Sequence, residues 1–184
     1  MILTEDYVRK TIEEVAPLVE EESGLKCDVK DFKLKFKLIS SPLASYNIKN
    51  HELRFSKYIS CNGNCFYLIL GHELMHHSQY HTFKDLQKRE KEFISSKGLK
   101  DKLIWSNPFN SLIEGDATLV EMNLQEKYFK NAKAGEIRNL SYLYWRGMLC
   151  EKFNDGKDRK GINELYTAPV GELIKIFGEN TIFL

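Results

Sequence analysis

The stretch Cys65-Phe66-Tyr67-Leu68-Ile69-Leu70-Gly71-His72-Glu73-Leu74-Met75-His76-His77 decides how this chain is read. A largely apolar run leads straight into two histidines four residues apart, with a glutamate directly after the first. The spacing predicts a helix from about Asn64 to Tyr80. On a helix, residues four apart share a face and lie about 6 Å apart along the axis, so His72 and His76 can converge on one cation. Glu73 sits to the side of that cation, where a water would lie. A buried imidazole must be hydrogen-bonded or metal-bound, so two of them on an apolar helix need a reason. A chain with five histidines and 18 glutamates contains the H-E-x-x-H pattern by chance about 0.01 times, so chance is a poor explanation.

Outward from this helix, the first third reads as one helix and a small antiparallel sheet. Thr4 is the expected N-cap, Glu5 and Asp6 suit the positive helix end, and Val8, Ile12, Val15 and Val19 share a face. Pro17 is expected to bend or end this helix early. Phe32, Leu34, Phe36 and Leu38 alternate with Lys33, Lys35 and Lys37, the period of a strand with one wet face. A turn is expected at Ser40-Ser41-Pro42. Two further strands, Ala44–Ile48 and Glu52–Phe55, are joined by a hairpin loop at Lys49-Asn50-His51.

Beyond the histidine helix the chain stays helical. A second helix is expected from Thr82, with Asp85 completing a capping box, to about Ser95. A third begins with Asn107 as N-cap and Pro108 in the first turn. A fourth spans roughly 136–153, Gly156–Gly161 reads as a loop, and a short last helix follows Thr167-Ala168-Pro169 and ends at Gly178. The fold class is therefore α+β: a single domain, 1–184, with the N-terminal helix and sheet in 1–60 and a helical lobe in 61–184.

Two histidines need a third ligand. Glu114, Asp116 and Glu121 on the third helix are the candidates, and periodicity alone does not choose among them. A zinc ion with three protein ligands keeps one position for water and lowers its pKa to about 7. A neighbouring carboxylate can then take the proton and pass it to a leaving amine. Zinc is the expected cofactor, although the ligand types also suit manganese, cobalt or iron.

His72-Glu73-Leu74-Met75-His76 followed by Glu114-Gly115-Asp116-Ala117 resembles the gluzincin group of zinc metallopeptidases, whose members pair the histidine helix with a later glutamate helix. The resemblance implies a zincin-like fold, with Glu114 as third metal ligand beside His72 and His76 and Glu73 as general base. It also implies extended peptide added along the edge of the sheet. Thr118 stands where the family often has an aspartate that orients a metal-bound histidine. Tyr144-Trp145-Arg146-Gly147, Gly161 to Tyr166 and Ala168-Pro169 are similar to the tail of predicted zinc proteases with an E-G-x-A motif. Related enzymes use a Tyr or His beyond the glutamate helix to hold the oxyanion. Tyr144 is the expected donor, with Tyr142 and His77 as alternatives.

Lysine plus arginine is 27 and aspartate plus glutamate 26, which gives no general pull toward nucleic acid or an anionic membrane. No apolar run is long enough to span a bilayer, and the N-terminus does not read as a secretory signal. A cytoplasmic protein with reduced thiols, acting on peptide or unfolded protein, is expected. Cys61 and Cys65 read as ordinary thiols, His51 as a hairpin residue and His81 as a helix-end residue. Two rivals stay open at this point: a zinc-binding regulatory or interaction module without peptidase activity, and a purely structural zinc protein. The apolar end Thr181-Ile182-Phe183-Leu184 could also fold into a groove of the protein.

Overall fold

Seven helices and three strands occupy the described residues of the computed structural model, which are 2–30, 32–38, 43–58, 63–96, 107–132 and 140–178. The fold class is α+β, mostly helical. The expected turn at Ser40-Ser41-Pro42, Cys61 and the end Thr181-Ile182-Phe183-Leu184 lie outside the described residues. Among the described residues, no helix is long and apolar enough to cross a membrane.

α1 (Glu5–Ser23) starts at Thr4, whose hydroxyl accepts from the Tyr7 N–H, and ends at Gly24, which takes φ 67° and donates to the Glu20 carbonyl. Pro17 does not end it early, as expected, but lies inside it. Pro17 and Glu13 are both exposed, so the hydrogen bond that proline cannot make falls on the wet side of the helix, where its loss is tolerated.

β1 (Lys33–Lys37), β2 (Ala44–Asn47) and β3 (Glu52–Ser56) form the sheet in the order β1-β3-β2. β2 and β3 are the expected antiparallel hairpin, but β1 runs parallel to β3. The sheet is therefore mixed rather than antiparallel. β3 takes the centre because Leu53 and Phe55 are fully buried, whereas β1 keeps its three lysines exposed and suits an edge.

α2 (Gly63–Thr82) is the histidine helix. It belongs to one compact unit, Met1–Thr82 with Val120–Arg138. The physical reason is Gly71. A Cβ there would stand 2.5 Å from Leu124 Cδ1 and 3.7 Å from Val15 Cγ1, so α2 is packed closely against its neighbours on either side. Tyr7, Phe66, Phe55 and Phe36 continue this core into the sheet through ring contacts of 5.7 to 6.1 Å.

The second unit comprises Phe83–Leu119 and Asn139–Leu184. α3 (Leu86–Ser96) starts four residues later than expected, because Thr82 still belongs to α2. α4 (Pro108–Lys127) is one unbroken helix that contributes to both units. Asn107 caps it as expected, accepting from the Asn110 N–H at 2.9 Å. α5 (Leu140–Lys152) follows, and α7 (Val170–Phe177) is the expected last helix, with Gly178 closing it. The charged stretch expected as a loop over Gly156–Gly161 holds the start of α6 (Arg159–Leu165), capped by Asp158.

The second unit buries a polar network within an apolar core. Asp116 is fully buried, and it accepts from Arg159 Nη1 at 2.6 Å and from the Tyr166 hydroxyl at 2.8 Å. Tyr166 stacks on Phe83 with ring centroids 4.5 Å apart, and Arg89 donates to the Tyr166 and Ala168 carbonyls. Removing one partner of such a pair strands a buried charge, at about 3–5 kcal/mol. We expect Asp116→Ala to lower the denaturant-derived stability by about that amount. An unchanged unfolding midpoint would show that the pair contributes no net stability.

Candidate metal centre

His72 and His76 arise from consecutive turns of α2, and their Nε2 atoms face each other at 3.1 Å. Two nitrogens bound to one tetrahedral zinc at about 2.0–2.1 Å stand roughly 3.4 Å apart. The other nitrogen of each ring has an oxygen close by. His76 Nδ1 is 3.0 Å from Gln79 Oε1, and His72 Nδ1 is 3.3 Å from Glu121 Oε2. The first contact is a hydrogen bond, whereas the second is a close approach without hydrogen-bond geometry; with a proton on each Nδ1, each Nε2 would present a lone pair. In that state the two lone pairs, 3.1 Å apart, would repel unless a cation lay between them. The donor set thus fits a bound metal.

Glu114 completes the set. One ligand atom from each of His72, His76 and Glu114 lies within 4.8 Å of the others. The flexible glutamate side chain can close this spread to tetrahedral spacing. Helix geometry explains why Glu114 and Glu121 act together. They are seven residues apart on α4, two turns along nearly the same line. Asp116 is rotated about 200° from Glu114, and its bonds to Arg159 and Tyr166 account for its burial. The structure separates the three acids by position: Glu114 in the cluster, Glu121 behind His72, Asp116 in the second unit's core.

The partner of His72 was legible only in part. The family pattern pointed to position 118, but Thr118 is buried and its hydroxyl makes no hydrogen bond among the described residues. Glu121, three residues further along α4, faces His72 instead. Acceptors of this kind fix the tautomer and orientation of metal-binding histidines. A second signal lay in Gln79, placed at i+3 from His76.

Glu73 is half-buried on α2 beside His72. Glu90 on α3 is also half-buried and accepts from Asn107 Nδ2 at 3.1 Å. Burial pushes its carboxyl up from the usual range, and the Glu114 charge pushes in the same direction. The surroundings of Glu114 are therefore rich in acid.

His77, one alternative oxyanion donor, is engaged elsewhere. Its Nε2 donates to the Asp28 carbonyl at 2.8 Å, so its Nδ1 accepts from the Tyr46 hydroxyl at 3.1 Å. His51 Nδ1, 3.0 Å from the same hydroxyl, is then the donor to it. Tyr142 stacks on Trp145 at 5.6 Å. Tyr144 is 47% exposed on α5, so it is not a core side chain. Cys27, Cys65 and Cys150 are free thiols, and burial pushes Cys27 up to about 12.

Two predictions follow from this geometry. Burial holds His77 down at about 4, below its ordinary 6.5, so folding favours the neutral ring. Its contribution is complete above pH 6.5 and is lost as pH falls toward 4, by up to ~3 kcal/mol. We expect the fall in unfolding free energy over that window to be shallower in His77→Gln, and parallel profiles would exclude this origin. Metal affinity should fall most in Glu114→Ala and by about 10- to 100-fold in Glu121→Ala, as measured by competition with a chromogenic chelator. Equal losses would move the third ligand. Compared with models of protein families, with curated proteins and with solved structures, the chain matches none.

Proposed function

We propose that the protein is a zinc-dependent metallopeptidase of the gluzincin type with a zincin-like fold, and that it hydrolyses peptide bonds of extended or unfolded substrates. The observation that carries this reading is the convergence of His72, His76 and Glu114, with the two Nε2 atoms 3.1 Å apart and one ligand atom from each residue within 4.8 Å of the others. Two imidazoles and a carboxylate are a donor set that suits zinc and leaves one coordination position for reaction.

His72, His76 and Glu114 would hold the ion, which supplies a Lewis acid that polarises the scissile carbonyl and acidifies water. Glu73 accepts a proton from the attacking water as its oxygen bonds to the carbonyl carbon. The same carboxyl then gives that proton to the amine nitrogen as the C–N bond breaks. No bond between enzyme and substrate forms. The Tyr144 hydroxyl is assigned as hydrogen-bond donor to the developing oxyanion. β2 is an edge strand with β3 as its one neighbour in the sheet, and its outer edge suits an extended peptide added as a further strand.

The test is a comparison of the parent with Glu73→Gln, both loaded with zinc. Zinc should remain stoichiometric in the variant, while cleavage of a denatured protein substrate falls by about 10²- to 10⁴-fold. Equal cleavage by the two proteins would remove Glu73 from the mechanism. A zinc-loaded parent that cleaves no unfolded protein would favour a binding module over a peptidase.

A further inference from the structure

Seven large apolar side chains stand exposed among the described residues, and four of them meet at one end of the sheet. They are Ile2, Leu38, Leu43 and Tyr58, between 37% and 70% exposed. Backbone bonds bring them together. Lys57, just before Tyr58, donates at 2.7 Å to the carbonyl of Lys37, just before Leu38. Ser56 donates to the Leu43 carbonyl at 2.8 Å, Leu3 donates to the Lys57 carbonyl at 3.0 Å, and Ile2 pairs with Tyr58 in an antiparallel bridge. Four neighbouring segments thus expose one large apolar side chain each at the same place. Such residues scattered singly need no explanation, whereas a group does.

The same end is basic. Lys37 and Lys57 adjoin it, and Lys35 and Lys33 follow along β1 at steps of about 6.6 Å. All four lysines are exposed and make no ion pair among the described residues. On these segments Glu5 and Glu52 are paired with Arg9 and Arg54, and Asp6 sits at the positive end of α1. Glu52 senses the surplus of positive charge. The hydrogen bond from Arg54 holds its carboxyl below the usual range, and the charges of Arg54, Lys35 and Lys33 add to that. The chain's net charge of +1 conceals this local excess.

A nucleic-acid backbone would answer the lysines and leave the four apolar side chains in water. A stable protein interface takes about 20–30 residues a side, more than four strand ends supply. An anionic bilayer answers both features. Its headgroup boundary takes up apolar side chains, and lysines just behind them lie within a Debye length of about 8 Å of its negative surface.

We propose that this end of the sheet binds reversibly to the surface of a bilayer rich in anionic phospholipid, with Ile2, Leu38, Leu43 and Tyr58 in the headgroup boundary and the lysines on its phosphates. Binding of this kind uses no part of the metal centre and is independent of the peptidase reading.

The experiment mixes the full chain with vesicles of phosphatidylcholine, alone or with about one-third phosphatidylserine, and reads the bound fraction by sedimentation. The protein should pellet with the anionic vesicles at about 0.1 M salt, and neither with the neutral ones nor at about 0.5 M salt. Lys35→Gln combined with Lys37→Gln should weaken binding about fivefold for each lysine. Leu38→Ser should weaken it about tenfold and leave its salt dependence unchanged. All three positions are exposed, so these variants should melt with the parent. In Tyr58→Trp, brominated lipid in the anionic vesicles should quench the added indole fluorescence. No binding to anionic vesicles, equal binding to both compositions, or binding unchanged in the lysine and leucine variants would overturn the proposal. Capture of heparin or of an acidic polypeptide through the same lysines, with no binding to vesicles, would overturn it too, by assigning the basic face to another polyanion.

Discussion

The absence of a side chain at Gly71 governs the rest of the site. Leu124 of α4 occupies the space a Cβ would need, and Val15 of α1 closes the other side. That approach brings α2 near enough to α4 for His72 Nδ1 to meet Glu121 at 3.3 Å. Once Glu121 is at His72, the continuity of α4 puts Glu114 on the same line two turns earlier. The His72 ring then has a carboxylate behind Nδ1, while Nε2 faces His76 and the Glu114 cluster. A larger residue at 71 would push the helices apart and lengthen each of these contacts together. Packing density, not ligand chemistry alone, therefore sets whether the donors can share one ion.

Charge gives the site its appetite for a cation. The site holds two imidazoles, His72 and His76. Glu73, Glu114 and Glu121 surround them, and Glu90 lies close enough to Glu114 for its carboxyl to be pushed up by that charge. A divalent ion offsets this accumulation, and a proton shared between the two Nε2 atoms would do so only in part. The fit between structure and metal thus has two supports, the convergence of His72, His76 and Glu114 and the sign of the surrounding field.

The parts of this fold that were legible in the sequence are those set by neighbours along the chain. Helix starts at Thr4 and Asn107 are side-chain caps, and the lysine alternation in β1 is a local period. His72, Glu73 and His76 come from one helical turn. What depends on distant partners was not legible. Alternation marks a strand but not its direction, so the parallel pairing of β1 with β3 could not be read. α6 hides in a charged, glycine-bounded stretch because its helix is held by Asp158 at one end and by Ile162 and Leu165 packing beneath. Pro17 reads as a breaker only if its carbonyl partner is assumed to be buried. Glu114 and Glu121 were indistinguishable by period, because seven residues return a helix to nearly the same face, and only the position of α2 separates the acid in the His72–His76 cluster from the acid behind His72.

Asp116 shows why α4 can serve a core and a metal centre at once. It lies two residues from Glu114 and so on the opposite side of the helix, where Arg159 and the Tyr166 hydroxyl neutralise it. Its charge is balanced locally and adds little to the field at the histidines. The same network anchors α6 and the turn after it, since Tyr166 is held at its ring by Phe83, at its hydroxyl by Asp116 and at its carbonyl by Arg89. The glutamate helix is thus held from behind by the Asp116–Arg159 pair, while Glu114 and Glu121 lie toward the histidines. A helix held in this way resists the pull of a bound divalent ion, which would otherwise draw Glu114 and the backbone carrying it toward the imidazoles. Fixing the ligand before the metal arrives lowers the reorganisation that binding requires. The acid in the core and the acid in the site are for that reason two halves of one mechanical arrangement.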